Sequence, residues 1–400
     1  MLRPFRSRDF RLFWSGSFVA NCGVWMQQIA LGWLVYAMTR SASWLGTISF
    51  TGNLPVLVFG LLGGAIVDRA SRRTVILGSQ TAFAVEAAVL ALLTASGHLA
   101  LWHVMVLAMC AGTALAIGGP AMFAVIPTLV GPEELLNAIS LNSVQMNLAR
   151  TLGPVLAGVV YGRVGPAACF GFNAAGFVVL TLVLSRIRMP QQPTDAPAPV
   201  GRAMRDGLRY ARTHPVIGPA LFLSAAVSLF GFPYLVLLPA LARDTLHLEV
   251  SGLGYLMTTV GAGAVLAGLG LAAAGDLPHK GLIGIATAFL FGATLAAFGI
   301  VRSMHATMAV LFTLGVLQTL CMASINTTVQ LAVDDRMRGR IMSMLTMILF
   351  GLTTLGGLLL GTLGDRIGVP GALAVGGVVI ALAATGVLAR APVLQAAEVR

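Results

Sequence analysis

Long apolar stretches recur along the whole chain and restrict the folds open to it. We identify twelve runs of about 20 or more mostly apolar residues, the length that a helix needs to cross a hydrocarbon layer of roughly 30 Å. They cover residues 12–38, 43–67, 74–96, 101–129, 138–162, 167–187, 216–241, 252–274, 281–301, 306–330, 341–363 and 370–389. The runs are continuous rather than alternating, which excludes a transmembrane β-barrel. The sequence therefore predicts an all-α integral membrane protein with twelve transmembrane helices.

The charge content limits the classes of function. Only 10% of the 400 residues are charged, whereas soluble domains carry about 25%. The net charge is +11, but the arginines are divided among short segments, so nucleic acid is not an expected partner. The sole lysine, Lys280, is followed by glycine, so the chain has no Walker A loop for ATP. The histidines and cysteines lack metal-site or disulfide spacing, and we expect neither a metal nor a cofactor.

The basic residues predict the orientation. With the N-terminus in the cytoplasm, nineteen Lys and Arg residues lie on the cytoplasmic side, five lie outside and Arg150 lies within a helix. Cytoplasmic loops of membrane proteins carry this excess of positive charge. The first apolar run is too long for a signal peptide and has no small-residue cleavage site, so we expect it to be retained. Both termini are therefore expected in the cytoplasm, with the chain in the cell (inner) membrane.

An internal repeat divides the chain. Residues 131–165 align without gaps, at an offset of 203, with residues 334–368. The identical pairs are Ser140/Ser343, Thr151/Thr354, Leu152/Leu355, Gly153/Gly356, Gly158/Gly361, Arg163/Arg366 and Gly165/Gly368. Internal repeats of this kind are typical of secondary transporters. We expect an N-terminal six-helix half over 1–188, a cytoplasmic linker over 189–215 and a C-terminal six-helix half over 216–400.

The linker changes character at Val200. Its first part is rich in proline and is expected to be extended. Four arginines then recur on one helical face: Arg202, Arg205, Arg209 and Arg212. Apolar residues, Met204, Leu208 and Ala211, lie opposite. This pattern predicts a short basic amphipathic helix, which could rest on anionic lipid headgroups or face solvent.

The loop between predicted helices 2 and 3 carries a distinctive motif. The segment GGAIVDRASRR has the pattern G-x3-D-R-x2-R-R through Gly64, Asp68, Arg69, Arg72 and Arg73. Two six-helix halves with this loop resemble the major facilitator superfamily, although serine stands where that family usually has a second glycine. The stretches EELLNAISLN and RGRIMSM resemble its enterobactin-exporter-like branch, which also contains macrolide efflux proteins. The resemblance implies a transporter rather than an enzyme, working by alternating access.

A conformational latch is predicted at this loop. A carboxylate such as Asp68 can accept hydrogen bonds from the N-terminus of another helix and stabilise its dipole. The resemblance implies that this helix is helix 11, which begins near Arg340. A carboxylate among these arginines could hold the two halves in one conformation and release them in the other. A degraded copy of the motif places Asp276 where Asp68 stands; the alternative is that the arginines only fix the topology.

Glu86 and Arg150 lie in the middle of predicted helices, where charge is costly and usually functional. Arg150 shares a polar stripe with Ser143, Asn147 and Pro154. Because the resemblance implies that helix 5 borders the substrate cavity, we expect Arg150 to contact substrate, with a structural ion pair as the alternative. Glu86 could carry a proton or form a packing ion pair, and the sequence does not separate these roles.

The remaining cavity candidates are uncharged. Helix 1 presents a neutral polar and aromatic face that suits aromatic or amphiphilic ligands, or else a polar seam between helices. The predicted substrate-cavity residues are Asn21, Trp25, Gln28, Asn147, Arg150, Gln318, Asn326 and Thr353. The segment GPVLAG, residues 153–158, resembles the helix 5 signature of the family's exporters without its full ending, which favours export.

The expected function is export of a small organic molecule, coupled to the proton gradient. A siderophore-like metabolite is the first expectation, and a macrolide or other drug is the second. An integral-membrane lipid-handling protein is a distant alternative, since the chain shows no cluster of nucleophiles, acids or metal ligands. The expected partners are the substrate, membrane lipids and protons, and the protein is expected to be a monomer.

Overall fold

The structure consists of long helices. The computed structural model describes residues 3–62, 71–123, 125–187, 200–275 and 278–390, and within these ranges it contains no strand. We number the long helices α1 to α12: Arg8–Thr39, Ala42–Leu62, Arg72–Ala95, Leu101–Phe123, Leu135–Val164, Pro166–Arg186, Ile217–Thr245, Val250–Ala274, Lys280–Ala296, Met304–Ala332, Asp335–Ile367 and Val369–Arg390. The predicted all-α membrane fold is confirmed.

Ten of the described helices are long and apolar enough to cross a membrane. The other two are α2 and α5, which overlap predicted transmembrane segments. Polar side chains, including Arg150, lower the hydropathy of α5. Helix α5 is thus less apolar than the other transmembrane candidates because it carries Arg150, the residue that sequence analysis assigned to the substrate cavity.

The chain forms two compact units. The first contains residues 1–38, 51–197 and 249–258, and the second contains residues 39–50, 198–248 and 259–400. Residues 39–50 and 249–258 are each grouped with the other unit, and the expected linker is divided after residue 197. The start of α2 belongs to the second unit, and the start of α8 belongs to the first.

In the first unit, α5 packs closely through its glycines. A β-carbon at Gly153 would lie 2.5 Å from Cβ of Trp25 on α1. One at Gly158 would lie 3.0 Å from Cα of Ser251 at the start of α8. Real β-carbons essentially never approach other atoms within 3.0 Å, so glycine at 153 allows α1 to approach. The GPVLAG segment is therefore a packing element between α1 and the start of α8.

In the second unit, α11 repeats this arrangement. A β-carbon at Gly356 would collide with the carbonyl oxygen of Leu229 in α7, and one at Gly361 would lie 2.6 Å from the carbonyl oxygen of Ala42 in α2. Gly356 and Gly361 stand at the repeat offset from the glycines of α5. Their partner helices, α7 and α2, are the repeat equivalents of α1 and α8. The repeat seen in the sequence is thus present in the packing.

Single residues join two pairs of long helices. Gly165 connects α5 to α6 with φ of +100°, and Gly368 connects α11 to α12 with φ of +81°. Glycine adopts these positive φ angles without the steric cost that a β-carbon brings. Between α1 and α2 only Arg40 and Ser41 intervene. Several connections between consecutive helices are therefore as short as the backbone allows.

The linker contains a helix over Val200–Thr213. Its Tyr210 hydroxyl donates a 2.9 Å hydrogen bond to Asp334, the residue that precedes α11. Ala211 is buried, while Leu208 is 42% exposed. The face of this helix that packs against the rest of the unit therefore includes Tyr210 and Ala211. Leu208 lies outside it, so the expectation that Leu208 and Ala211 share one apolar face is wrong. Arg205, Arg209 and Arg212 are exposed.

Candidate substrate and coupling sites

The predicted latch is only partly within the described residues. Gly64, Asp68, Arg69 and Asp276 lie outside them. Arg72 and Arg73 open α3, and the Arg73 guanidinium donates to the carbonyl of Ser185 at the end of α6. Arg340 is half-buried near the start of α11. The latch itself remains a prediction.

Sequence analysis missed a carboxylate that performs the chemistry expected of Asp68. Asp365, near the end of α11, accepts hydrogen bonds from the backbone amides of Ala42 at 2.6 Å and Ser43 at 3.2 Å. The hydroxyls of Ser41, at 2.6 Å, and of Ser43 also donate to it. These amides belong to the first turn of α2, which has no intrahelical acceptors for them. Asp365 therefore caps the N-terminus of α2.

The sequence contains a signal for this cap. Gly361, Asp365 and Arg366 repeat the G-x3-D-R spacing of Gly64, Asp68 and Arg69. The repeat alignment paired Gly361 and Arg366 with residues of α5, but Asp365 has only a glycine opposite and was passed over. A search for the motif at helix ends, rather than in loops alone, would have found it.

The structure brings two predicted cavity residues together. The Arg150 guanidinium carbon lies 5.8 Å from the centre of the Trp25 ring. Both side chains are half-buried. Attraction between a guanidinium and the face of an indole ring contributes about 0.5–2 kcal/mol, more when water is excluded. Gly153 makes the pair possible, because it lets α1 approach α5 at Trp25. Asn147 is exposed on the same stretch of α5, and its amide donates to the carbonyl of Ser143 at 2.9 Å.

Glu86 is held by amides rather than by a cation. It is buried in α3, with 5% of its surface exposed. The Gln27 amide nitrogen on α1 lies 3.0 Å from both carboxylate oxygens, and the Gln27 amide oxygen accepts from Asn173 on α6 at 2.9 Å. Within the described part of the chain Glu86 makes no ion pair. Arg150 and Glu86, for each of which an ion pair was an alternative, do not pair with each other: Glu86 accepts from Gln27 and Arg150 lies over Trp25.

Gln27 and Asn173 were not predicted, although their neighbourhood gave a signal. Gln27 adjoins Gln28, which was assigned to the cavity but is exposed. A β-carbon at Gly23 would lie 2.7 Å from Cα and from the amide oxygen of Asn173. Glycine at this position therefore lets α6 approach α1 closely enough for the amides to meet.

A cavity of about 400 Å³ adjoins this network in the first unit. It is lined by residues of α1, α3, α4, α5 and α6, among them Glu86, Gln27 and Asn173. Asn21 of the predicted substrate set lines it as well. Trp25, Gln28, Asn147 and Arg150 do not line it. The substrate-cavity residues predicted in the first half are therefore not all in one site: Asn21 lines the cavity beside Glu86, whereas Trp25 and Arg150 lie together outside it.

The candidates in the second unit have local partners. Gln318 on α10 accepts a 3.1 Å hydrogen bond from the Tyr234 hydroxyl on α7. The Asn326 amide oxygen accepts from Gln330, and the Thr353 hydroxyl donates to the carbonyl of Leu349 in its own helix. No hydrogen bond among the described residues joins these three candidates to one another. The structure therefore does not gather them into a single polar site.

The described residues contain no group of three or more His, Cys, Asp or Glu side chains that could hold a metal ion. Cys22, Cys169 and Cys321 are buried and unpaired, and Cys110 is exposed and unpaired. The described residues instead place a carboxylate, a guanidinium and several side-chain amides on otherwise apolar helices. Such groups suit the binding of a solute.

Long apolar helices, a packing arrangement shared by α5 and α11, and charged side chains in the middle of α3 and α5 are typical of a transporter of the major facilitator type. Solved structures share the fold. A bacterial homologue of the human lysosomal transporter Spinster aligns with a TM-score of 0.76 at 13% identity, covering 98% of this chain and 97% of that one. The nucleoside transporter NupG aligns with a TM-score of 0.72 at 15% identity, covering 96% and 99%.

The chain belongs to the family described as transmembrane secretion effector, whose model matches residues 1–399. It is 26% identical to the staphyloferrin A transporter of Staphylococcus aureus over 90% of each chain. It is 23% identical to macrolide efflux protein A of Streptococcus pyogenes over 73% of each chain. The enterobactin exporter of Shigella flexneri is 26% identical over 69% of this chain and 65% of its own. The predicted family resemblance is confirmed, and the protein is a multi-pass membrane transporter of small molecules.

Proposed function

We propose that the protein exports a siderophore-like organic metabolite across the cytoplasmic (inner) membrane by alternating access. The observation that carries the choice of substrate is the position of Arg150. Arg150 is in the middle of α5, and its guanidinium lies over Trp25 without a carboxylate partner among the described residues. Two of the relatives named above transport siderophores, which supports the same choice.

An arginine beside an indole ring suits a ligand that is both anionic and planar. The guanidinium can form charge-assisted hydrogen bonds with a carboxylate or catecholate, and these are roughly twice as strong as neutral ones. The indole ring can stack on an aromatic group of the same ligand. Since a charge in hydrocarbon needs a partner for part of the cycle, the ligand is the partner that we assign to Arg150.

We assign proton coupling to Glu86. Its burial and its hydrogen bond from Gln27, with no cation beside it in the described part of the chain, support a carboxyl group that exchanges a proton during the cycle. In proteoliposomes with an imposed pH gradient, Glu86→Gln is expected to leave downhill exchange intact while uphill accumulation is lost. Accumulation at the wild-type level would remove Glu86 from the coupling.

The proposed topology places both termini and the linker in the cytoplasm, with the protein acting as a monomer and not as an enzyme. A cysteine introduced at Thr194 should be labelled only from the cytoplasmic side. Labelling from outside intact cells would reverse the orientation. The latch at Asp68 belongs to this proposal, and Asp68→Asn should express normally but transport poorly.

Ligand binding by Arg150→Ala tests the substrate class. We expect the variant to remain folded, and its affinity for a catecholate or carboxylate siderophore to fall about tenfold to a hundredfold. Affinity for a neutral ligand of similar size should change little. Equal losses for both ligands would contradict a charge-specific contact. Arg163→Ala, near the end of α5, is the matched control.

Export of a macrolide or another drug is the second candidate. It is favoured by the neutral polar and aromatic residues of α1, among them Asn21 and Gln28, and by the similarity to macrolide efflux protein A. A transport panel containing siderophores and macrolides separates the two. Transport of macrolides alone, unaffected by Arg150→Ala, would favour the second candidate.

A further inference from the structure

The cavity beside Glu86 is a second binding site candidate, separate from Arg150. Its volume of about 400 Å³ falls in the range of sites for small organic molecules, roughly 300–1,000 Å³. Arg150 and Trp25, to which the exported substrate is assigned, do not line it. A ligand held here would therefore meet a different chemistry.

Aromatic rings form much of the cavity wall. Phe13, Phe83 and Phe177 line it, and the rings of Phe83 and Phe177 stack with their centroids 4.9 Å apart. Apolar and aromatic walls hold the body of an organic ligand, and ring faces attract cations.

Glu86 is the sole titratable side chain among the residues that line the cavity. Its only hydrogen-bond donor in the described structure is the Gln27 amide. An ionised carboxylate inside a membrane protein is stabilised by a positive charge or by several donors. The cavity thus contains an anionic group with room for a cation.

Other oxygen atoms around the cavity also lack donors. The Ser17 hydroxyl and the amide oxygens of Gln80 and Asn173 are buried without a hydrogen-bond partner. These residues are between 2% and 5% exposed. Buried polar atoms in proteins nearly always have partners, so unpartnered ones call for an explanation. These oxygens are covered by protein atoms, so a ligand in the cavity would meet them only after a rotation of the side chain.

We propose that this cavity binds an amphiphilic organic ammonium ion. Its N–H groups meet the Glu86 carboxylate and neighbouring oxygens, and its apolar body lies among the phenylalanine rings. A primary ammonium group has three donors and one positive charge, which match a carboxylate that has a single amide as its donor. Val24, Leu115 and Met146 line the cavity and are also exposed, so a ligand can reach the cavity past these side chains. Protonation of Glu86 would remove the negative charge that binds the ammonium ion, so the proton and the ligand would compete for this carboxylate.

Binding of dansylcadaverine to the purified full-length protein in detergent tests this proposal. This probe combines a fluorescent aromatic ring with a primary ammonium group, and its N-acetyl derivative has the same ring without the charge. We expect dansylcadaverine to bind at least about tenfold more tightly than the derivative. Glu86→Gln should weaken the ammonium probe by about the same factor and leave the derivative unchanged.

Two further variants keep the test independent of the folding of Glu86→Gln. Leu115→Trp narrows the opening without touching the carboxylate and should weaken both probes, whereas Glu133→Gln removes an exposed acid and should change neither. Equal binding of the two probes, absence of binding by the wild type, or wild-type affinity of Glu86→Gln for the ammonium probe would overturn the proposal, and wild-type affinity of Leu115→Trp for both probes would place their binding outside this cavity. Because transport is not measured, the result does not depend on the siderophore assignment.

Discussion

Helices α5 and α11 share a packing frame but carry different chemistry. In each, two glycines at equivalent positions admit the backbones of two neighbouring helices. At the repeat offset, however, Arg150 of α5 corresponds to Thr353 of α11, and Asp365 of α11 corresponds to Gly162 of α5. Arg150 faces an indole ring, whereas Thr353 bonds within its own helix.

This difference separates two kinds of constraint. A position where a β-carbon would lie very close to a neighbouring helix favours glycine, and α5 and α11 both have glycine at the two equivalent positions. A polar position depends on what it contacts, and the two halves contact different partners. The internal repeat is therefore a guide to helix packing, but it does not fix every charge: Arg163 and Arg366 match, whereas Arg150 and Asp365 have no equivalent.

The largest expected effect comes from breaking the shared frame. Gly158→Val and Gly361→Val should each destabilise the protein by about 2–3 kcal/mol, because the new side chain forces a helix pair apart. Thermal unfolding in detergent measures the loss. Gly162→Val is the matched control, since a β-carbon there meets nothing within 4 Å. Equal melting of all three variants would mean that the close approaches do not stabilise the fold.

A smaller effect is expected from removing the charge of Asp365, which has no charged equivalent on α5. Asp365→Asn keeps the size of the side chain but weakens the cap on α2, which should cost about 1 kcal/mol. The control is Asp335→Asn, a well-exposed acid paired with Arg338 at 2.8 Å on the surface. If the two variants unfold at the same temperature, the hydrogen bonds to Ala42 and Ser43 add nothing to stability.

The smallest effect concerns the two intramembrane charges. Since Glu86 bonds to Gln27 and Arg150 lies over Trp25, Glu86→Gln and Arg150→Gln should have additive effects on unfolding free energy. We expect a coupling below about 0.5 kcal/mol in the double-mutant cycle. Rescue of one variant by the other would show that Glu86 and Arg150 form an ion pair. The main partner of Arg150 on α5 would then be Glu86 rather than Trp25.

The sequence predicted the fold well because the bilayer imposes helix length and continuous hydrophobicity on each segment. Arg150 was found because a charge within an apolar run is visible in one dimension. Its neighbour Trp25 was assigned to the same cavity from the face of helix 1, and the structure brings the two together.

Other parts of the sites could not be predicted, for reasons of geometry. Successive residues of a helix point about 100° apart, so choosing Gln28 rather than Gln27 missed the partner of Glu86. Asp365 bonds to residues more than three hundred positions away, and a charge at a helix end is too common to attract notice. The shape of a cavity depends both on the direction of each side chain around its helix and on contacts between residues far apart in the sequence.

The single-residue connections at Gly165 and Gly368 have a consequence outside the transport cycle. In the proposed topology they face the cell exterior, as does the two-residue connection between α1 and α2. Proteases need several extended residues, and antibodies need a protruding surface, so segments this short offer little to either. Epitope tags and insertions intended for the outer face would therefore be tolerated poorly there, and the cytoplasmic linker is the better place to attach them.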